Sequence, residues 1–126
     1  MNSLNITLEL GSSIPIYVQI VDQVREQLAA GRLKPGDQLP TVRQLASELR
    51  VNFNTIARAY RLLDDAGLIS TQRGRGTYLV ENETGKADEI VRKTTIQEQI
   101  QKVIQSLLQQ GYSLEEIKKT FQNIID

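Results

Sequence analysis

The chain has 126 residues, 40% of them hydrophobic and 24% charged, and its 15 basic and 15 acidic side chains give a formal net charge of zero. That length suits one compact domain with an appendage. With neither cysteine nor histidine, a disulfide framework, thiolate chemistry and imidazole catalysis are excluded, and a zinc site is disfavoured. The opening MNSLNITLEL has no basic n-region or cleavage pattern and no apolar run is long enough to span a bilayer, so a cytoplasmic protein without a membrane segment is expected.

In SIPIYVQIVDQVREQLAA, residues Tyr17, Ile20, Val21, Val24 and Leu28 recur at the spacing of one helical stripe. Ser12 or Ser13 with Pro15 gives the start, and Gly31 gives the stop. KPGD then reads as a tight turn, with Pro35 setting φ and Gly36 supplying a positive one. Val42, Leu45, Ala46 and Leu49 stripe a short second helix that begins near Thr41. A third helix is capped by Asn52, striped by Ile56, Ala59, Tyr60 and Leu63, and ended by Gly67. The short gap between the second and third helices has the length of a helix-turn-helix joint. LIST and GTYLV flank QRGRG, which predicts a two-stranded hairpin with a glycine-containing tip. ENETGKADE reads as a polar linker. Ile96, Ile100, Val103, Ile104 and Leu107 mark a further helix, favoured as continuous through Thr94 and Thr95 and ended by Gly111. Ser113 and Glu116 form a capping box for a last helix striped by Leu114, Ile117, Phe121 and Ile124.

The expected fold is α+β: a winged helix-turn-helix domain over residues 1–80 (three helices plus a β-hairpin wing), then a small all-α two-helix tail over 81–126. A tail of that size cannot bury its apolar faces alone. With disulfides excluded and a metal disfavoured, it needs either the N-terminal domain or a second copy of itself, and a homodimer through the C-terminal helices is expected.

Charge is unevenly spread. Residues 32–75 hold eight basic and four acidic side chains, whereas 81–126 hold six basic and eight acidic ones. The buried stripe of the third helix leaves Asn54, Ala57, Arg58 and Arg61 on another face, with Thr55 at its edge. Asn can pair with adenine and Arg with guanine, while Thr can touch a thymine methyl or a phosphate. The helix N-terminus adds backbone N–H groups and a positive dipole end. Arg43, early in the second helix, reads either as a phosphate contact or as half of a surface pair with Glu48 or Asp37. At the hairpin tip, Gly74 and Gly76 let the backbone approach a sugar-phosphate chain, and Arg73 and Arg75 reach toward phosphates or a narrow minor groove. GRLKPGDQ lacks the Lys-Ser/Thr of a P-loop, so nucleotide binding there is rejected. No residue pattern calls for a cofactor, a metal or an enzymatic reaction. The residues favour double-stranded DNA as the partner; a winged helix that docks a protein without touching DNA is the alternative.

These residues resemble a family. Over roughly residues 15–80, GRLKPGDQLP at 31–40, NTIARAY at 54–60, LDDAGLI at 63–69 and GRGTY at 74–78 are similar to the DNA-binding domain of GntR-type bacterial transcription regulators. The short helical tail resembles the YtrA-like subgroup, where it serves dimerisation. The resemblance implies DNA contacts at Arg43, at Asn52, Asn54 and Thr55, and at Arg73, Gly74, Arg75 and Gly76. Where many family members carry arginines, this chain has Phe53 and Ala57, so Arg58 and Arg61 are expected to take over part of that contact. It also implies a repressor that binds a pseudo-palindromic operator as a homodimer. A small-molecule effector has room in such a scheme, but no residue names one.

Overall fold

The structure, a computed structural model, describes residues 4–81 and 86–126, with the backbone alone over 86–88. Contacts divide the chain into two compact units, residues 1–91 and 92–126. The division falls later than residue 80 because Val91 is buried in the core of the first unit.

The first unit contains α1 (Ile16–Ala29), β1 (Gln38–Leu39), α2 (Val42–Leu49), α3 (Phe53–Asp65), β2 (Ile69–Gln72) and β3 (Gly76–Leu79). The stripe of α1 turns inward as predicted: Tyr17, Ile20, Val21 and Val24 are buried and Leu28 is partly buried. Its start differs from expectation. Pro15 occupies the cap position without a side-chain cap, and Ser12 Oγ instead accepts from the Ile14 N–H at 3.1 Å. Both serines lie too early in the chain to reach the first turn. Thr41 caps α2 through a reciprocal box with Gln44, whose N–H donates to Thr41 Oγ1 at 3.0 Å while Thr41 N–H donates to Gln44 Oε1 at 2.9 Å. Asn52 caps α3, accepting from the Asn54 N–H at 2.7 Å. Val51 and Ile56 sit in the same core on either side of that cap, at the two positions of a hydrophobic staple.

The sheet has three antiparallel strands in the order β1-β3-β2, with Gln38 opposite Tyr78 and Gln72 opposite Gly76. The wing is therefore more than the predicted hairpin: a two-residue third strand lies along its other edge. Ile20, Leu33, Leu45, Ile56, Leu63 and Leu79 are almost wholly excluded from solvent where the helices meet this sheet.

Residues 4–9 form a feature with no counterpart in the sequence reading. Leu4, Ile6 and Leu8 rest against the core. The intervening backbone is held by glutamines one turn apart on α1. Gln27 Nε2 donates to the Asn5 carbonyl at 2.7 Å, Gln23 Nε2 to the Thr7 carbonyl at 2.7 Å and Gln19 Nε2 to the Glu9 carbonyl at 3.1 Å. Gln23 and Gln19 also accept from the Thr7 and Glu9 N–H groups, each at 2.9 Å. The side-chain amides thus stand in for a neighbouring strand and satisfy backbone groups that no sheet reaches.

Helix α4 (Lys86–Gln109) begins inside the stretch read as a linker, whose residues 82–85 lie outside the described residues, and it runs unbroken through Thr94 and Thr95. Helix α5 (Leu114–Ile125) carries the predicted box: Glu116 N–H donates to Ser113 Oγ at 3.1 Å and Ser113 N–H to Glu116 Oε2 at 2.8 Å. Those bonds from Ser113 hold the Glu116 carboxyl below its ordinary range. In the second unit Ile117 is buried, but Ile96, Val103, Tyr112, Leu114, Ile124 and Ile125 are each at least half exposed. An apolar groove of about 530 Å³ runs between Val103 and Leu107 on α4 and Phe121 and Ile124 on α5.

Candidate nucleic-acid interface

Helix α3 buries Ile56, Ala59, Tyr60, Leu62 and Leu63, and its 3.6-residue repeat leaves Asn54 and Arg61 exposed on the opposite side. Thr55, Ala57 and Arg58 are partly buried, while Phe53, the first helical residue, is 49% exposed. Arg58 lies 4.3 Å above the Tyr17 ring of α1, which presets its planar guanidinium on an aromatic face. Asn52 is committed through Oδ1 to its cap, which leaves its amide NH₂ as the donor for a ligand.

The placement of α2 depends on Tyr60. Its hydroxyl donates to the Pro40 carbonyl, one residue before the Thr41 cap. Burial, and then the charge of Glu48, push the Tyr60 hydroxyl well above its ordinary pKa, so it remains a donor at any physiological pH. Arg43 is exposed on the first turn of α2. It forms no pair with Glu48 or Asp37; the Asp37 carboxylate instead accepts from the Lys34 N–H at 2.9 Å. At the joint to α3, Arg50 takes a left-handed conformation with φ 56°, the single positive φ outside glycine among the described residues.

At the wing tip, Arg75 N–H donates to the Gln72 carbonyl at 2.9 Å and closes a turn around Arg73 and Gly74. Gly74 has φ 79° and Gly76 φ 124°, values that side-chain-bearing residues rarely adopt. The Arg75 carbonyl accepts from Gln38 Nε2 at 3.0 Å and from the Tyr78 hydroxyl at 3.1 Å. Arg73 and Arg75 are exposed. Among the described residues no ion pair or hydrogen bond engages the side chains of Arg43, Asn54, Arg61, Arg73 or Arg75.

The predicted residues therefore fall into three groups that do not bond to one another: Arg43 on α2, Asn52 to Arg61 on α3, and Arg73 to Gly76 on the wing. The sequence reading placed Tyr60 in a buried stripe and Tyr78 in the hairpin, but missed that they, with Gln38, hold the groups in place through their polar ends. Gln38 and Tyr60 reach carbonyls 37 and 20 residues away and Tyr78 one across the wing turn, a signal that hydrophobic periodicity does not carry.

Residues 16–79 match the family of bacterial regulatory proteins named gntR. The chain belongs to the GntR family. It is 40% identical over 119 residues to the HTH-type transcriptional repressor YtrA of Bacillus subtilis (strain 168), covering 94% of this chain and 91% of that protein. Among solved structures it resembles YtrA from Sulfolobus acidocaldarius, a GntR-family transcription factor, with a TM-score of 0.56, 37% identity and coverage of 95% and 96% of the two chains. The DNA-binding domain of AraR, solved in complex with operator ORX1, matches with a TM-score of 0.53 and 25% identity over 61% of this chain and 96% of that one. This GntR protein is thus a YtrA-like, winged helix-turn-helix regulator of transcription, a DNA-binding protein and not an enzyme. Among the described residues no helix is long and apolar enough to cross a membrane.

Proposed function

We propose that this GntR protein acts in the cytoplasm as a repressor, binding a pseudo-palindromic operator as a homodimer joined through α4 and α5. Arg43, Asn52, Asn54, Thr55, Arg58 and Arg61 supply the contacts of α2 and α3, and Arg73, Gly74, Arg75 and Gly76 those of the wing. The observation that carries the reading is the set of exposed cations, Arg43, Arg61, Arg73 and Arg75, which have no internal partner among the described residues, on the three elements that a winged helix offers to a duplex. Repression follows the named role of the B. subtilis relative. The operator-bound AraR domain supports duplex DNA as the partner. A protein-docking role would need an apolar patch on α3, where Phe53 is the one large apolar side chain exposed. Dimerisation is supported by the apolar groove of about 530 Å³ and the exposed stripes of the second unit, a second tail being an occupant of the right chemistry.

Selection of bound sequences from random duplex DNA tests the reading. The expected product is a pair of inverted half-sites about one helical turn, or a multiple of it, apart. Affinity for it should fall steeply with salt as counterions are released. Recovery of no enriched sequence, or a flat salt response, would sink it. Arg58→Ala should weaken binding and relax base preference; no change in either would remove Arg58 from the contact set.

A further inference from the structure

The flexible turn at the wing tip is held from outside. Two glycines with positive φ flank Arg75, and a backbone of that kind samples many conformations unless something fixes it. Three bonds do so here. The Arg75 N–H closes the turn on Gln72, and both lone pairs of the Arg75 carbonyl are engaged, one by Gln38 Nε2 and the other by the Tyr78 hydroxyl. Gln38 reaches the tip from β1, 37 residues earlier in the chain. Gly76 leaves the space for it: a Cβ at that position would collide with the Gln38 side-chain amide. The third strand thus presents a donor to the one carbonyl between the two wing glycines.

We propose that Gln38 and Tyr78 are positioning residues for DNA binding. By fixing the Arg75 carbonyl they preset the end of the turn that carries the Arg73 and Arg75 side chains. The duplex then meets an ordered tip and does not have to order one, so less conformational entropy is lost on binding. Both bonds are solvent-exposed. Water can replace them in the free protein, so their removal acts on the wing far more than on the fold. This proposal rests on the DNA-binding reading of the wing.

The test is a double-mutant cycle on the full chain with the duplex recovered by selection, the affinities being measured by fluorescence anisotropy across a salt series. Arg75→Ala in the otherwise wild-type chain should weaken binding about tenfold and lower the salt slope by about one, as loss of a phosphate contact does. Gln38→Ala with Tyr78→Phe should by itself weaken binding several-fold, with the melting temperature of the free protein unchanged. In that background Arg75→Ala should cost no more than about twofold, since an unbraced tip no longer delivers its arginine. Gln38→Met keeps the side-chain length and adds no charge but cannot donate, and should match Gln38→Ala. An equal cost of Arg75→Ala in both backgrounds, or wild-type binding by Gln38→Met, overturns the brace. Arg75→Ala without effect in the wild-type chain removes the wing from the interface altogether, an outcome distinct from failure of the brace alone.

Discussion

Among the described residues, nineteen buried side chains form one cluster in the first unit, whereas in the second Ile117 is the buried one and Ile124 and Ile125 stand 75% and 69% exposed. Both units contain amphipathic helices with well-formed caps, so local sequence quality does not separate them. What separates them is what their stripes have to meet. In the first, α1, α2, α3 and the sheet close over a shared centre; in the second, two helices offer more apolar surface than they can cover for each other. The same periodic signal marks a finished core in one place and an unfinished one in the other.

The largest effect expected from breaking this contrast lies in the first unit. Ile56→Ala removes a side chain with 0% exposure and should cost about 2–5 kcal/mol in urea unfolding. In the second unit, Ile124→Glu alters a residue 75% exposed within one chain, where a surface change is worth at most about 0.5 kcal/mol. If a second tail covers it, sedimentation equilibrium should show dimerisation at least about tenfold weaker, some 1.4 kcal/mol. An unchanged dimer constant would leave the exposed stripe without the role proposed for it. Tyr60→Phe should cost about 1 kcal/mol at neutral pH by orphaning the Pro40 carbonyl. Folding raises the pKa of this hydroxyl above its ordinary 10.0, so its contribution holds below pH 10 and is lost as the unfolded tyrosine ionises above it. The advantage of wild type over Tyr60→Phe should therefore shrink in alkali. The smallest effect concerns the matched capping boxes. Thr41→Ala should cost about 1 kcal/mol of global stability, whereas Ser113→Ala should appear as faster amide exchange in the first turn of α5. The Glu116 carboxyl is held low by folding, so its share of that cap is present above the ordinary carboxylate range and fades as pH falls through the lowered value.

Much of this was legible in the sequence, because stripes, caps and turn glycines are local. Asn52, Thr41 and the Ser113–Glu116 box all occupy the positions their spacing predicts. The unread parts are those where a side chain acts at a distance. Gln38–Leu39 is too short a strand to show any alternation, and its partner β3 lies far along the chain. The start of α4 was hidden because lysine, alanine and glutamate read as a polar linker although they are good helix formers. Arg43 and Arg58 were placed on outward faces of their helices, but nothing local showed that Arg43 would pair with neither Glu48 nor Asp37 or that Arg58 would settle on Tyr17.

The glutamine clasp on α1 carries a limit of its own. Four residues of helix rise about 6.0 Å, and two residues of extended chain about 6.6 Å. Successive rungs therefore slip past one another by roughly half an ångström, about the whole tolerance of a hydrogen bond. Gln19, Gln23 and Gln27 meet three carbonyls before that drift accumulates. A fourth rung in either direction would fall out of phase, so a helix can hold an extended segment in this manner only as a short clip, never as a long seam.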